Sequence, residues 1–197
     1  MRRLFLLLAA TAVALVLASG VALAVNKIGG PGKDALVGTK NPDLLDGRGG
    51  DDAIHGKGGD DCPTNSGFFF LIGGTGDDAI HGGAGDDCLY GGGLGRTTFF
   101  EKGEDSLYGN GGDDSINGGQ GVDAISGGDG NDLLIDGATK GESSMDALSG
   151  GNGRDRLDVD NRPAAKDIVD CGAGVDKVDA DRKDVLADCE KRVNIGD

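Results

Sequence analysis

The 197-residue sequence contains no tryptophan, and aromatic residues make up only 4% of it. A core built on large aromatic side chains is therefore excluded, and another source of stability has to be found. Proline occurs four times against 40 glycines, which excludes a collagen-like chain despite the glycine content. Lysine and arginine number 19 against 34 acidic residues, which gives a net charge of −15. This excess disfavours nucleic acid and anionic membrane surfaces and favours multivalent cations as partners.

Sequence signatures of common hydrolases are also missing. The chain has two histidines and no H-E-x-x-H pattern, which excludes a zinc protease of that type. It has no G-x-S-x-G pattern, so the nucleophile turn of serine hydrolases is excluded as well. We therefore expect that the protein is not an enzyme.

The first 24 residues have the features of an export signal. Two arginines precede an almost continuous apolar run over 4–17, and an Ala-Leu-Ala cleavage site ends at Ala24. This order predicts a signal peptide over 1–24 and a mature domain over 25–197. We expect a secreted, extracellular product without membrane insertion. The general secretory and twin-arginine routes both stay open.

The mature chain is organised by a period of nine residues. Glycine recurs at the first, second and fourth positions, aspartate at the sixth and a large aliphatic residue at the eighth. GGTGDDAIH at 73–81 and GGAGDDCLY at 82–90 are complete examples. Glycine permits positive φ in a turn, and the last three positions fit a short strand with one side chain facing a core. The aspartate precedes the strand, where its short carboxylate can point back into the turn.

This period resembles the RTX (repeats-in-toxin, hemolysin-type) calcium-binding nonapeptide repeat, GGxGxDxUx, in which U is a large apolar residue. The resemblance covers roughly residues 29–186. It implies an all-β fold, a parallel β-roll solenoid of about fifteen repeats with about 18 residues in each coil. Insertions are then needed near 63–70 and 94–102. The resemblance also implies several calcium ions between stacked turns, held by aspartate carboxylates and backbone carbonyls.

The resemblance assigns the calcium-ligand role to the sixth-position aspartates that follow an intact glycine turn. These are Asp34, Asp52, Asp61, Asp78, Asp87, Asp114, Asp123, Asp132, Asp155 and Asp176. The sixth-position aspartates that follow altered turns are doubtful ligands: Asp43, Asp105, Asp146, Asp167 and Asp184. Fifth-position aspartates are expected to reach an ion only through water or to be solvated: Asp51, Asp60, Asp77, Asp86 and Asp113.

Four cysteines allow three pairings, and the implied coil selects one of them. Cys171 and Cys189 are 18 residues apart, and Cys62 and Cys88 are also one coil apart once an eight-residue insertion is left out. Neighbouring coils lie about 4.8 Å apart, which a disulfide tolerates. We therefore expect disulfides Cys62–Cys88 and Cys171–Cys189, the second capping the C-terminal coil.

Two groups of side chains are expected on the outside of the roll. His55 and His81 share the ninth position of neighbouring coils, where surface residues, a weak transition-metal pair and a pH-sensing pair all stay open. The phenylalanines of the mature chain lie in the two insertions, where they either shield the roll or contact a partner: Phe68, Phe69, Phe70, Phe99 and Phe100.

These features predict calcium binding by a secreted β-roll that folds with calcium and acts as an extracellular structural module. Without cations, stacked carboxylates repel each other, and one aliphatic side chain per repeat offsets little of the chain entropy. We therefore expect the metal-free chain to be disordered. The alternative is a secreted adhesin or ligand-binding protein that uses the phenylalanine-rich insertions. The sequence specifies neither its partner nor the oligomeric state.

Overall fold

The computed structural model describes residues 23–62, 70–92, 103–136, 144–159 and 165–190, together with the backbone of 191–193. Within these ranges the chain forms seventeen short β-strands and no helix. No described helix is long and apolar enough to cross a membrane. The expected signal peptide lies almost wholly outside the described residues.

Strands that are consecutive in sequence lie in opposite sheets. Sheet A contains β1 (Asn26–Ile28), β3 (Leu44–Gly49), β5 (Phe70–Thr75), β7 (Cys88–Gly92), β9 (Ser115–Asn117), β11 (Leu133–Ile135), β13 (Arg156–Val159), β15 (Lys177–Ala180) and β17 (Lys191–Val193). Sheet B contains β2 (Ala35–Val37), β4 (Ala53–His55), β6 (Ala79–Ala84), β8 (Ser106–Gly111), β10 (Ala124–Asp129), β12 (Ala147–Gly153), β14 (Ile168–Gly174) and β16 (Val185–Ala187). Neighbouring strands are parallel and in register, so two repeats make one coil. This all-β parallel β-roll confirms the expected fold.

The core between the sheets is built from the eighth-position aliphatic side chains. Register places Leu45 under Leu71 in sheet A, and Ile54 under Ile80 in sheet B. The exposed fraction is at most 8% for fourteen of these residues: Leu36, Leu45, Ile54, Leu71, Ile80, Leu89, Leu107, Ile116, Ile125, Leu134, Leu148, Leu157, Val169 and Val178. Leu186 is only partly buried and packs against the C-terminal end of this column. Because each repeat buries one large side chain, the core is narrow, and the turns along its edges carry much of the structure.

Both expected disulfides are present and join neighbouring coils. The Cα atoms are 4.7 Å apart in Cys62–Cys88 and 5.0 Å apart in Cys171–Cys189. These distances agree with the spacing of adjacent parallel strands.

Phe70 was expected in an insertion, but it is the first residue of β5. It pairs with Leu44 in the neighbouring strand, and its ring meets Tyr90 edge-on with centroids 5.5 Å apart. The parallel register extends one residue ahead of buried Leu71, and this extension brings Phe70 into the sheet. The other four phenylalanines of the insertions, Phe68, Phe69, Phe99 and Phe100, lie outside the described residues.

Candidate metal centres

The turns stack along the two long edges of the roll. Turns that lead from sheet B to sheet A form what we call the continuous edge, with aspartates Asp43, Asp61, Asp87, Asp114, Asp132, Asp155 and Asp176. Turns that lead from sheet A to sheet B form the interrupted edge, with aspartates Asp34, Asp52, Asp78, Asp105, Asp123, Asp146, Asp167 and Asp184. The additional residues 93–102, 137–143 and 160–164 fall on the interrupted edge, whereas the insertion near 63–70 falls on the continuous edge, between Asp61 and β5.

A ladder of backbone-to-carboxylate hydrogen bonds runs along each edge. On the continuous edge, Oδ1 of Asp114 accepts the N–H of Asp87 at 2.8 Å, and Oδ1 of Asp132 accepts the N–H of Asp114 at 2.8 Å. This ladder begins at the N–H of Val25 and ends where Oε2 of Glu190 accepts the N–H of Asp176 at 3.0 Å. The interrupted edge has an equally unbroken ladder from Asp34 to Asp184. The five aspartates that follow altered turns are therefore placed like the others.

The second carboxylate oxygen distinguishes the intact turns. Oδ2 is buried and has no hydrogen-bond partner among the described residues in Asp52, Asp61, Asp78, Asp87, Asp114, Asp132, Asp155 and Asp176. In the altered turn of Asp43, Oδ2 accepts the N–H of Thr39 at 2.5 Å. In the first, half-buried turn, Oδ2 of Asp34 accepts the N–H of Gly30 at 2.6 Å. A buried carboxylate oxygen without a partner is costly, and a bound cation removes that cost.

The first glycine of each intact turn leaves room beside this oxygen. A methyl group on Gly82 would lie 2.5 Å from Oδ2 of Asp87 and 2.9 Å from the carbonyl oxygen of Gly109 in the next coil. Gly127 is placed in the same way against Asp132 and the Gly150 carbonyl. A carboxylate oxygen and a carbonyl oxygen therefore converge where two coils meet. Ca²⁺ takes both kinds of oxygen in flexible geometry, so these residues fit a calcium ion.

Comparison with known families leads to the same ion. A family model described as the RTX calcium-binding nonapeptide repeat, in four copies, matches residues 28–61, 70–93 and 102–134. The chain is an RTX calcium-binding nonapeptide repeat protein. The RTX repeats imply calcium binding, with Ca²⁺ as the partner ion. No curated protein and no solved structure matches the chain.

The RTX roll extends beyond the matched residues. The family match ends at residue 134, whereas the paired strands continue through β17. Asp155 and Asp176 lie in this extension and retain both the backbone ladder and a buried Oδ2 with no partner in the part of the chain that the structure describes. The geometry of the calcium-binding turn is therefore kept where the sequence diverges from the family pattern.

Burial changes the acidity of the aspartates in the RTX turns. It raises the pKa of Asp61 and Asp78 to about 7 and that of Asp114 to about 8, although backbone hydrogen bonds oppose the rise. Burial also raises the pKa of Asp87 and Asp132 to about 6, against the same opposing hydrogen bonds. In the folded, cation-free chain, protons therefore compete for these oxygens near neutral pH.

The fifth-position aspartates form a further ladder on the outside of the RTX turns. Oδ1 of Asp86 accepts the N–H of Asp113 at 2.8 Å, and Oδ1 of Asp113 accepts the N–H of Asn131 at 2.7 Å. These bonds come from the following coil, whereas the sixth-position bonds come from the preceding one. The fifth-position residues are exposed, as expected, but they also tie neighbouring turns together.

Asp136 is a site residue that the sequence argument missed. It occupies the first position of its turn, where most repeats have glycine, and it is buried. Carboxylate oxygens of Asp136, Asp146 and Asp167 all lie within 4.8 Å of one another. The signal in the sequence was an acidic residue replacing the first glycine of a repeat. The altered turn of Asp146 therefore gathers oxygen ligands of another kind, without the glycine that other turns use.

Proposed function

We propose that this RTX chain is a secreted, extracellular structural module, without catalytic activity, whose β-roll becomes ordered when calcium binds between stacked turns. The observation that carries the proposal is the row of buried Oδ2 atoms along the continuous edge that have no hydrogen-bond partner among the described residues. Six such aspartates follow each other there, from Asp61 to Asp176. A divalent cation is the partner that these oxygens lack.

The two carboxylate oxygens of each sixth-position aspartate have different roles within the turn. Oδ1 of an aspartate holds the backbone of the preceding coil, as Asp114 holds the N–H of Asp87. Oδ2 of the same carboxylate and a glycine carbonyl of the next coil are left to hold the ion. Bound calcium neutralises carboxylates that repeat at about the 4.8 Å spacing of strands, where each unneutralised pair repels by about 1 kcal/mol in water.

The dependence of folding on calcium also links folding to export. A predicted signal peptide over 1–24 directs the chain out of the cytoplasm, where free calcium is scarce. A chain whose turns lack cations stays unfolded and fit for transport, and calcium outside the cell then orders it. The two disulfides between neighbouring coils are consistent with an oxidising compartment.

The test uses far-ultraviolet circular dichroism of the chain lacking residues 1–24. Spectra are recorded first in excess chelator and then during a calcium titration. We expect a disordered spectrum in chelator and a cooperative gain of strand signal with calcium. Magnesium is the matched control, because it demands near-ideal octahedral geometry and gives up its waters reluctantly. Strand signal that is already complete in excess chelator would falsify the proposal.

A second candidate function is adhesion through the phenylalanine-rich insertions. The observation that favours it is the apolar outer face of sheet A beside the first insertion, where Phe70 pairs with Leu44 and meets Tyr90. Replacing Phe68–Phe70 and Phe99–Phe100 by serine should abolish retention on cells or matrix in calcium while leaving the strand signal intact. Unaltered retention of that variant would remove this candidate.

A further inference from the structure

The two histidines of the chain face each other on the outer surface of sheet B. Parallel strands β4 and β6 pair His55 with His81 in register. Their imidazole rings stack with centroids 4.8 Å apart and planes inclined by 13°. His81 stacks in turn on Tyr108, with centroids 4.7 Å apart and planes inclined by 10°. Both imidazoles are therefore held side by side and reach solvent at the same point.

The surroundings of the pair differ from the rest of this acidic molecule. The groove beside the rings is lined by Val37, Lys57, Asn110 and backbone of the glycine turn, and no described acidic residue lines it. The calcium ladders lie at the turn edges and offer oxygen atoms. The groove offers two imidazole nitrogens instead, and these suit a different class of ion.

We propose that His55 and His81 together bind a transition-metal ion of the Cu²⁺, Ni²⁺ and Zn²⁺ class, independently of the calcium sites. Metal–nitrogen bonds of about 2.0–2.1 Å allow two ligand nitrogens to be at most about 4.2 Å apart. The rings are 4.8 Å apart and nearly parallel, so one ring has to turn until the in-plane lone pairs of the two nitrogens converge on one ion. His55 is exposed, so its ring turns without disturbing the core. Water fills the remaining positions, and Cu²⁺ binds most tightly of the three.

The site exists only in the folded roll, because the two histidines are 26 residues apart in the chain and strand register brings them together. It therefore rests on the folding step of the proposed function. The binding experiment is accordingly done in excess calcium, with circular dichroism recorded on the same samples. Calcium also occupies the buried carboxylate sites, so those oxygens do not compete with the imidazoles for the added ion.

Tyrosine fluorescence reports the site directly. The chain has two tyrosines and no tryptophan, so Tyr90→Phe leaves Tyr108, stacked on His81, as the only tyrosine. Adding Cu²⁺ to this untagged variant should quench Tyr108 in a saturable way, at one ion per chain. Adding either His55→Ala or His81→Ala to the same background should abolish the saturable quenching. The matched reporter control is Tyr108→Phe, which keeps Tyr90 on the other sheet and should show none.

Three outcomes overturn the inference. The first is saturable quenching that persists after His55→Ala or His81→Ala, because the ion then binds elsewhere. The second is a folded chain whose Tyr108 is not quenched, which contradicts the metal site and leaves the calcium proposal intact. A chain that shows neither strand signal in calcium nor quenching contradicts both proposals.

Discussion

The two edges of the roll share one aspartate ladder but differ in their turns. On both edges, every sixth-position carboxylate from the second coil onward accepts a backbone N–H from the coil before it. On the continuous edge, the turns ending at Asp61, Asp87, Asp114, Asp132, Asp155 and Asp176 follow one another, and each has a buried Oδ2 without a described partner. The interrupted edge carries the additional residues 93–102, 137–143 and 160–164 between its aspartates, and the continuous edge carries one insertion, between Asp61 and β5.

This difference shows that the backbone ladder and the ion sites have separate requirements. The ladder needs an aspartate immediately before a strand, and Asp105 and Asp146 meet that need despite their altered turns. The open corner and the carbonyl from the next coil are present at Gly91 beside Asp105 as well, so the feature that distinguishes the ion sites is the buried Oδ2 without a described partner. We therefore expect calcium to bind cooperatively along the continuous edge, because each turn there contributes to two neighbouring sites.

The largest expected effect comes from filling one ion site on the continuous edge. A methyl group at Gly109 would meet Oδ2 of Asp114 and lie 2.6 Å from the Gly127 carbonyl, whereas one at Gly111 has no described atom within 4 Å. Gly109→Ala should lower the unfolding free energy in calcium by about 3 kcal/mol, the upper range for overpacking. Gly111→Ala should change it by less than about 1 kcal/mol. Urea unfolding in saturating calcium measures both, and equal losses would contradict the ion-site geometry.

The next effect compares one aspartate from each edge. Asp114→Asn and Asp105→Asn both keep an oxygen that can accept the backbone N–H, but both lose the charge. Oδ2 of Asp114 lies in an intact turn, so its loss should raise the calcium concentration at the folding midpoint by about tenfold, or about 1.4 kcal/mol. The shift for Asp105→Asn should be clearly smaller. Equal shifts in the calcium titration would mean that the altered turn of Asp105 binds calcium as the intact turn of Asp114 does.

The pH dependence of folding should reverse between the cation-free and the calcium-bound chain. The folded-state pKa of Asp61 and Asp78 is about 7 and that of Asp114 about 8, against 3.8 as the ordinary value. The folded chain therefore keeps protons that the unfolded chain releases. This contribution to stability is complete below pH 3.8 and is lost as pH rises through the range from about 6 to 8.

In chelator, we thus expect more strand signal at pH 5 than at pH 8. In calcium, the midpoint concentration should instead rise in acid, because protons and calcium compete for the same oxygens. Circular dichroism at the two pH values measures both trends, and Asp114→Asn should weaken each of them. A chelated chain whose strand signal is independent of pH would show that buried carboxylates do not limit its folding.

The nine-residue period was sufficient to predict the fold. The nine-residue spacing, which is half of one coil, places Leu45 and Ile54 in opposite sheets of one core, and both are fully buried. Phe70 was misplaced because the sequence alone does not show where the insertion ends. The pairing of Phe70 with Leu44 shows that Phe70 takes the seventh position of the repeat, directly ahead of Leu71.

The site was harder to predict than the fold. The repeat pattern treats the turn and its aspartate as one unit, so it could not show that Asp43 and Asp167 keep the backbone ladder without an intact turn. It also gave no role to Asp136, whose importance depends on two aspartates that only the coil brings near it. Contacts between coils join residues about 20 positions apart, and the motif of a single repeat does not contain them.

The smallest expected effect tests whether the turns of both edges bear the same backbone strain. Arg48 on the interrupted edge and Lys57 on the continuous edge occupy second turn positions with φ of 72° and 83°, where most repeats have glycine. Left-handed backbone costs an L-residue about 1–2 kcal/mol. Arg48→Gly and Lys57→Gly should therefore each gain about 1 kcal/mol in urea unfolding with saturating calcium. Lys57→Gln removes the charge but keeps the strain, so it should gain nothing. A larger gain in unfolding free energy for Lys57→Gly than for Arg48→Gly would show that relief of backbone strain on the continuous edge also strengthens calcium binding. No gain at either position would mean that both turns accommodate a side chain without strain.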